Sequence, residues 1–98
     1  MACPVILSPR AIRDLEETVR YISHDNPAAA LKLGHALIAR ARSVGAFPEI
    51  GRVVPEIGDP EIREVIFRSY RIVYRFKKGG QFVEVARFWH GAQGTPRI

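Results

Sequence analysis

The chain is predicted to be a single α+β domain. An N-terminal strand, an antiparallel helix hairpin and a three-stranded antiparallel meander contribute to it, with all strands in one sheet. Three observations predict this class. Apolar residues recur at spacings of three and four across residues 9–44, the period of amphipathic helices. From Tyr70 to Lys77 the period becomes two: Tyr70, Ile72, Tyr74 and Phe76 alternate with Arg71, Val73, Arg75 and Lys77, as in a half-buried strand. Lys78-Gly79-Gly80 then supplies a hairpin reversal, because glycine reaches the positive φ such turns need.

Each element follows in order. Pro4–Leu7 is a short apolar strand. Ser8-Pro9 starts a helix, the serine capping free amides and the proline tolerated at the first helical position. Ile12, Leu15, Val19 and Ile22 form its buried stripe, and Asp14, Glu16 and Glu17 read as a solvated face. His24-Asp25-Asn26-Pro27 breaks the helix and restarts it, with Asn26 as cap. Ala30, Leu33, Leu37, Ala41 and Val44 make the second stripe, and Gly45 suits a left-handed helix stop. The short link between two amphipathic helices makes an antiparallel hairpin. Phe47–Arg52 is a turn, and the stretch through Pro55 and Pro60 is irregular. Glu61–Arg68, Tyr70–Lys77 and Gln81–His90 are the closing strands. A two-residue Gly79-Gly80 loop places Arg75 opposite Glu84, Tyr74 opposite Val85, Tyr70 opposite Trp89 and Arg71 opposite Phe88. His90 then continues the Arg71 face. Residues 93–98 form a loose tail.

Length and composition narrow the function classes. The 98 residues make one domain, residues 1–98, and a hydrophobic share of 47% suits a globular core. No apolar run approaches the roughly 18 residues of a membrane span. No signal peptide is recognised, and Cys3 is the one cysteine, so no internal disulfide or cysteine zinc site forms. A cytoplasmic, reducing setting is the expectation. His24, His35 and His90 lack metal-ligand spacing, so neither a metal site nor a cofactor is expected.

Net charge is +5, unevenly spread. Residues 1–61 hold seven Lys/Arg against eight Asp/Glu; residues 62–98 hold eight against two. The sheet half is therefore basic, which suits an anionic partner: nucleic acid or an acidic protein segment. Arg71 and His90, on one face in the register above, are the constellation that could do chemistry. The arginine would stabilise a phosphorane-like transition state while the imidazole moves a proton, as RNA cleavage through the 2′-hydroxyl requires.

The order strand–helix–helix–three strands resembles the RelE/ParE superfamily of bacterial toxins. The resemblance spans Val5 to Ala92. It is carried by Leu7-Ser8-Pro9-Arg10-Ala11 with Asp14-Leu15-Glu16, by Tyr21-Ile22 and Asp25-Asn26-Pro27-Ala28-Ala29-Ala30, and by Phe47-Pro48-Glu49-Ile50-Gly51-Arg52. Tyr70-Arg71-Ile72-Val73-Tyr74-Arg75 and Trp89-His90-Gly91-Ala92 complete it. The long hairpin, the Phe-Pro-Glu-Ile-Gly-Arg turn and the closing His-Gly-Ala look like ParE. Glu64 and Ile66 stand about where RelE-type members place lysines, and no tyrosine follows His90.

The resemblance implies a RelE/ParE-like fold and a type II toxin of the ParE kind, a poison of DNA gyrase rather than an enzyme. It also implies a cognate ParD-like antitoxin that folds an acidic C-terminal segment onto the toxin in a hetero-oligomer. Arg68, Arg71, Arg75 and Lys77 are the expected antitoxin contacts, and Trp89 and His90 the expected target contacts. The alternative is a RelE-like, ribosome-dependent mRNA endoribonuclease using Arg71 and His90.

Overall fold

The computed structural model describes Ala2–Ile98. Its elements are β1 (Val5–Leu7), α1 (Pro9–Ser23), α2 (Pro27–Ser43), β2 (Arg52–Val53), β3 (Ile62–Phe67), β4 (Tyr70–Arg75) and β5 (Val83–His90). Short 3-10 turns stand at Val44–Ala46 and Gly91–Gln93. The α+β class is as expected, with two helices on one sheet. The sheet has five strands, ordered β1-β5-β4-β3-β2, where four were expected. The extra strand, β2, is two residues long and pairs Arg52 with Glu64. Two residues are too few to show a period, so it lay within the stretch read as irregular.

Both helix starts form as the sequence dictates. The Ser8 hydroxyl accepts the Ala11 amide at 3.0 Å, and the Asn26 side chain accepts the Ala29 amide at 3.0 Å, with Pro9 and Pro27 opening the helices. The inner sheet face buries Val65, Ile72, Tyr74, Val83, Val85 and Phe88 against Leu33, Leu37 and Ala41 of α2 and Ala11 of α1. Of the expected α1 stripe, Leu15 and Ile22 pack against the core and Val19 faces Gly34 of α2; the first position differs. Ala11 is buried and Ile12 exposed, because Ser8 ties the helix start to β5 through its amide on Val85 O (2.9 Å) and its hydroxyl on Ala86 O (3.0 Å). Gly45 does not take a left-handed stop, since α2 runs on into the 3-10 turn Val44–Ala46; Gly79 has the positive φ expected of the β4–β5 turn, at 81°. Gly45 is glycine because the Cys3 backbone crosses it, with Cys3 N–H donating to Gly45 O at 2.8 Å.

The β4–β5 register corrects the sequence reading at one point, and that point rearranges the site. Arg75 pairs with Glu84 and Tyr74 with Val85, as expected. Beyond them a bulge at Ala86 shifts the pairing: Val73 meets Arg87, Ile72 meets Phe88, Arg71 meets Trp89 and Tyr70 meets His90. A one-residue slip sends each later side chain to the other face. Phe88 thereby enters the core, where straight alternation would have put Arg87. Trp89 turns to the outer face beside Arg71, and His90 turns to the inner face beside Tyr70.

The C-terminal segment is also packed rather than loose. The Trp89 indole N–H donates to Gly94 O at 3.0 Å, Arg87 Nη1 donates to Arg97 O at 2.6 Å, and Pro96 is buried. The tail thus covers the outer face of β5.

Candidate functional site

The outer face of the sheet carries the charged side chains, and the fold pairs them. Glu64, in the middle of β3, is the buried charged residue at 1% exposure. Its Oε1 accepts Arg71 Nε at 2.6 Å; its Oε2 accepts Arg52 Nε at 2.7 Å and Arg71 Nη2 at 3.1 Å. Arg71 is further gripped by Glu56, from the loop between β2 and β3, through two bonds of 2.7 Å. The cluster therefore reads Arg52–Glu64–Arg71–Glu56, with Val73 buried beside it. A bidentate pair of this kind is stronger than a single surface ion pair.

These contacts move the ionisation of the pair. Hydrogen bonding to Arg71 holds the Glu56 carboxyl at about 2 against an ordinary 4.5. Hydrogen bonding to Glu56 and then Glu64 raises the Arg71 guanidinium. A carboxyl lowered in the folded state binds fewer protons there than in the unfolded chain. Its contribution to stability is therefore complete above pH 4.5 and is lost as pH falls from there toward 2. Glu56→Gln should flatten this part of the acid limb. Denaturant midpoints at a series of pH values between about 5 and about 2.5 check it, and an unchanged limb would refute it.

A second cluster ties the outer edge of β5 to α1. Asp14, read from sequence as solvated, bonds Arg87 through Nε (2.7 Å) and Nη2 (2.8 Å) and also accepts the Phe88 amide at 3.1 Å. The pair raises the Arg87 guanidinium, chiefly through the Asp14 hydrogen bonds. Arg87 also lies 4.8 Å over the Trp89 ring. Asp14 and Glu56 both come from residues 1–61 and pair with arginines of residues 62–98. The charge asymmetry of the two halves is partly cancelled in the fold.

The expected site residues are accordingly scattered. Arg71 is not an open cation; its side chain is 13% exposed and carries two carboxylates. Arg75 meets Glu84 at a long 3.8 Å. Arg68 stands at the β3–β4 turn at φ 53°, its guanidinium 5.2 Å over Phe67, and Lys77 lies in the β4–β5 turn at the other end of the strand. Neither has an ion-pair partner among the described residues. Trp89 is 7% exposed under the C-terminal segment. His90 is half-buried, edge-on to Tyr70 at 5.1 Å, and lines a cleft with Tyr21, Glu17, Asp14 and Gln93 between α1 and β5. Arg71 and His90 therefore lie on opposite faces of the sheet, and the constellation expected from the straight register does not assemble.

Sequence reasoning missed Glu56, Glu64, Asp14 and Arg87. One signal was present: straight alternation from Val83 places Arg87 in the core, a conflict that a bulge resolves. The loop carboxylate of Glu56 has no local signature.

Known proteins with related sequences and folds extend these observations. The family model described as the ParE toxin of the type II toxin–antitoxin system parDE matches residues 5–94. Toxin RelE1 of Caulobacter vibrioides is 34% identical over 95 residues, covering 95% of this chain and 98% of that toxin. Among solved structures, the chromosomal ParDE toxin–antitoxin system from P. aeruginosa aligns with TM-score 0.74 at 17% identity, over 91% of this chain and 96% of the other. The RelBE2 toxin–antitoxin complex of Mycobacterium tuberculosis aligns with TM-score 0.65 at 19% identity, over 92% of each chain.

Proposed function

We infer the function from one premise: the chain belongs to the ParE toxin family of type II toxin–antitoxin systems. On our reading it poisons DNA gyrase and blocks replication, and a cognate ParD-like antitoxin neutralises it. The observation that carries this choice is the separation of Arg71 from His90. Arg71 is saturated by Glu56 and Glu64 on the outer face, and His90 faces the α1 cleft. A hydrolase built on the two would need them around one scissile phosphate. A poison needs a binding surface only, and the cleft around His90 is our candidate for it. Trp89, covered by the tail, supports that surface from behind. Arg68, Arg75 and Lys77 are our candidate contacts for the acidic segment of the antitoxin; Arg71 is already engaged.

The ribonuclease reading keeps one support, the RelE name of a relative that covers nearly the whole chain. One experiment separates the two. Purified toxin is added to a gyrase supercoiling assay and to a translating ribosome assay, and His90→Ala is carried through both after its fold is confirmed. We expect wild type to inhibit supercoiling and leave mRNA intact, and His90→Ala to keep most of its inhibition of supercoiling. Added antitoxin should restore supercoiling, and reversing Arg75 and Lys77 should weaken that rescue more than reversing Arg13 and Arg20. A ribonuclease that depends on His90 would instead lose about 10²–10⁴-fold in rate. Positioned mRNA cleavage by wild type, absent in a folded His90→Ala, would replace our reading with the alternative.

A further inference from the structure

The cleft between α1 and β5 has a chemistry unlike that of the basic sheet. Asp14, Glu17, Thr18 and Tyr21 line it from α1, and spacings of three and four put them on one helix face. Tyr70, His90 and Gln93 close the other side of a space of about 440 Å³. The walls are aromatic: Tyr21 is 79% exposed, and Tyr70 stands edge-on to His90. The His90 Nδ1 already accepts the Ala92 amide at 3.1 Å, so the ring braces Tyr70 and has no free acceptor for a ligand.

The charges in the cleft do not cancel. Arg87 is fully engaged: Asp14 takes its Nε and Nη2, Arg97 O takes Nη1, and its guanidinium lies over Trp89. Glu17 is left over. None of the ion pairs among the described residues includes it, although Arg13 and Arg20 stand one turn away on either side. Its field reaches Arg87, yet no bond joins the two. Two carboxylates face one guanidinium, so the cleft is locally −1 on a chain of net +5. At physiological salt, exposed charges beyond about 8 Å are largely screened, and the local sign decides what enters. An aromatic face beside a free carboxylate is the combination that recognises an organic cation. A phosphate or an acidic side chain would meet Glu17 as a like charge.

We propose that this cleft is a socket for an arginine side chain of the protein target, with Glu17 as its counter-ion and Tyr21 as the ring on which the guanidinium stacks. The inference rests on the reading that the cleft is the target surface, and it adds what enters there. Arginine is preferred to lysine because a planar guanidinium can stack on a ring and bond a carboxylate at the same time.

Two measurements on the whole chain test it. In the first, N-acetylarginine methylamide is titrated in while the ring resonances of Tyr21, Tyr70 and His90 are followed by NMR, with the lysine, norleucine and glutamate analogues as comparison probes. We expect saturable shifts at all three rings with the arginine probe, weaker binding of the lysine probe, and no binding of the norleucine or glutamate probe. Glu17→Gln should weaken the arginine probe at least about threefold, the scale of an exposed charge pair. Glu16→Gln makes the same change in charge one residue away, beside Leu15, Val19 and Arg20 rather than in the cleft, and should leave binding as it is. Tyr21→Ala should cost about as much as Glu17→Gln, whereas Tyr21→Phe keeps the ring and should bind within about twofold of wild type. Glu17 and Tyr21 are both exposed, so the fold tolerates these changes. Equal binding of the norleucine probe, or equal losses from Glu17→Gln and Glu16→Gln, would overturn the socket. In the second measurement, Glu17→Arg sets a cation in the place of the counter-ion. It should cut inhibition of supercoiling at least about tenfold, with Glu16→Arg close to wild type. A Glu17→Arg variant that inhibits as well as wild type would overturn the assignment of the arginine to the target. Failure of the gyrase reading shows in wild type alone; failure of the socket shows in the probe titration, which needs no gyrase.

Discussion

Glu64→Ala should destabilise the fold by about 3 kcal/mol or more, the lower part of the range for breaking a buried ion pair. The carboxylate is the one buried charged side chain among the described residues, and both its oxygens are filled by Arg52 and Arg71. Its removal leaves the largely buried Arg71 with Glu56 alone and opens a void next to Val73. Glu56 limits the damage, since Arg71 keeps two of its bonds. Arg52 is mostly exposed, so water replaces its lost partner at little cost. Glu64→Gln should lie between: one amide oxygen still accepts an arginine, but the amide N–H₂ faces other N–H donors. Urea denaturation of the three proteins gives the comparison. A double variant, Glu64→Leu with Arg71→Met, should recover much of the loss, because apolar replacement of a whole buried pair is often neutral. A loss below about 1 kcal/mol in Glu64→Ala would mean that the cluster is hydrated and loose.

Much of the fold was legible because it rests on local chemistry. Ser8-Pro9 and Asn26-Pro27 are caps whose function needs only a few neighbouring residues, and both helices begin where they should. The register of the β4–β5 hairpin followed from Gly79-Gly80 as far as Tyr74. What failed was non-local. The Ala86 bulge depends on Ser8, whose amide and hydroxyl take the two successive carbonyls of Val85 and Ala86 across 78 positions of sequence. The bulge then moved Trp89 and His90 to faces opposite to those expected, so an error of one residue rewrote the candidate site. The basic row in β4 was read correctly as a pattern, but Arg71 within it is not open charge. The carboxylates that answer it, Glu56 and Glu64, lie in a loop and in a strand whose own alternation is unclear.

The Phe-Pro-Glu-Ile-Gly-Arg turn was recognised as a signature but had no physical account from sequence; the structure supplies one, and with it the second large effect. Gly51→Ala should destabilise the protein by about 3 kcal/mol or more, combining overpacking with loss of a buried hydrogen bond. A Cβ on residue 51 would lie 2.5 Å from Tyr74 Oη and 2.6 Å from the backbone oxygen of Glu64. The first contact is with a side chain that has nowhere to go. Tyr74 is fully buried, its hydroxyl donates to Pro48 O at 2.7 Å and accepts Gly51 N–H at 2.9 Å, and burial raises its pKa. The second contact is with the interior strand β3, which cannot retreat without breaking its pairing to β4. Residue 51 must therefore withdraw, carrying Arg52 away from Glu64. For a domain of this size the midpoint of thermal unfolding should fall by roughly 12–24 °C. Tyr74→Phe distinguishes the two clashes. Alone it should cost about 1–3 kcal/mol, since the Gly51 amide and the Pro48 carbonyl lose their buried partner. Combined with Gly51→Ala it removes the hydroxyl but not the Glu64 oxygen, so stability should stay well below that of Tyr74→Phe alone. Equal stability of the double variant and Tyr74→Phe would show that the hydroxyl, not the strand backbone, forbids a side chain at position 51.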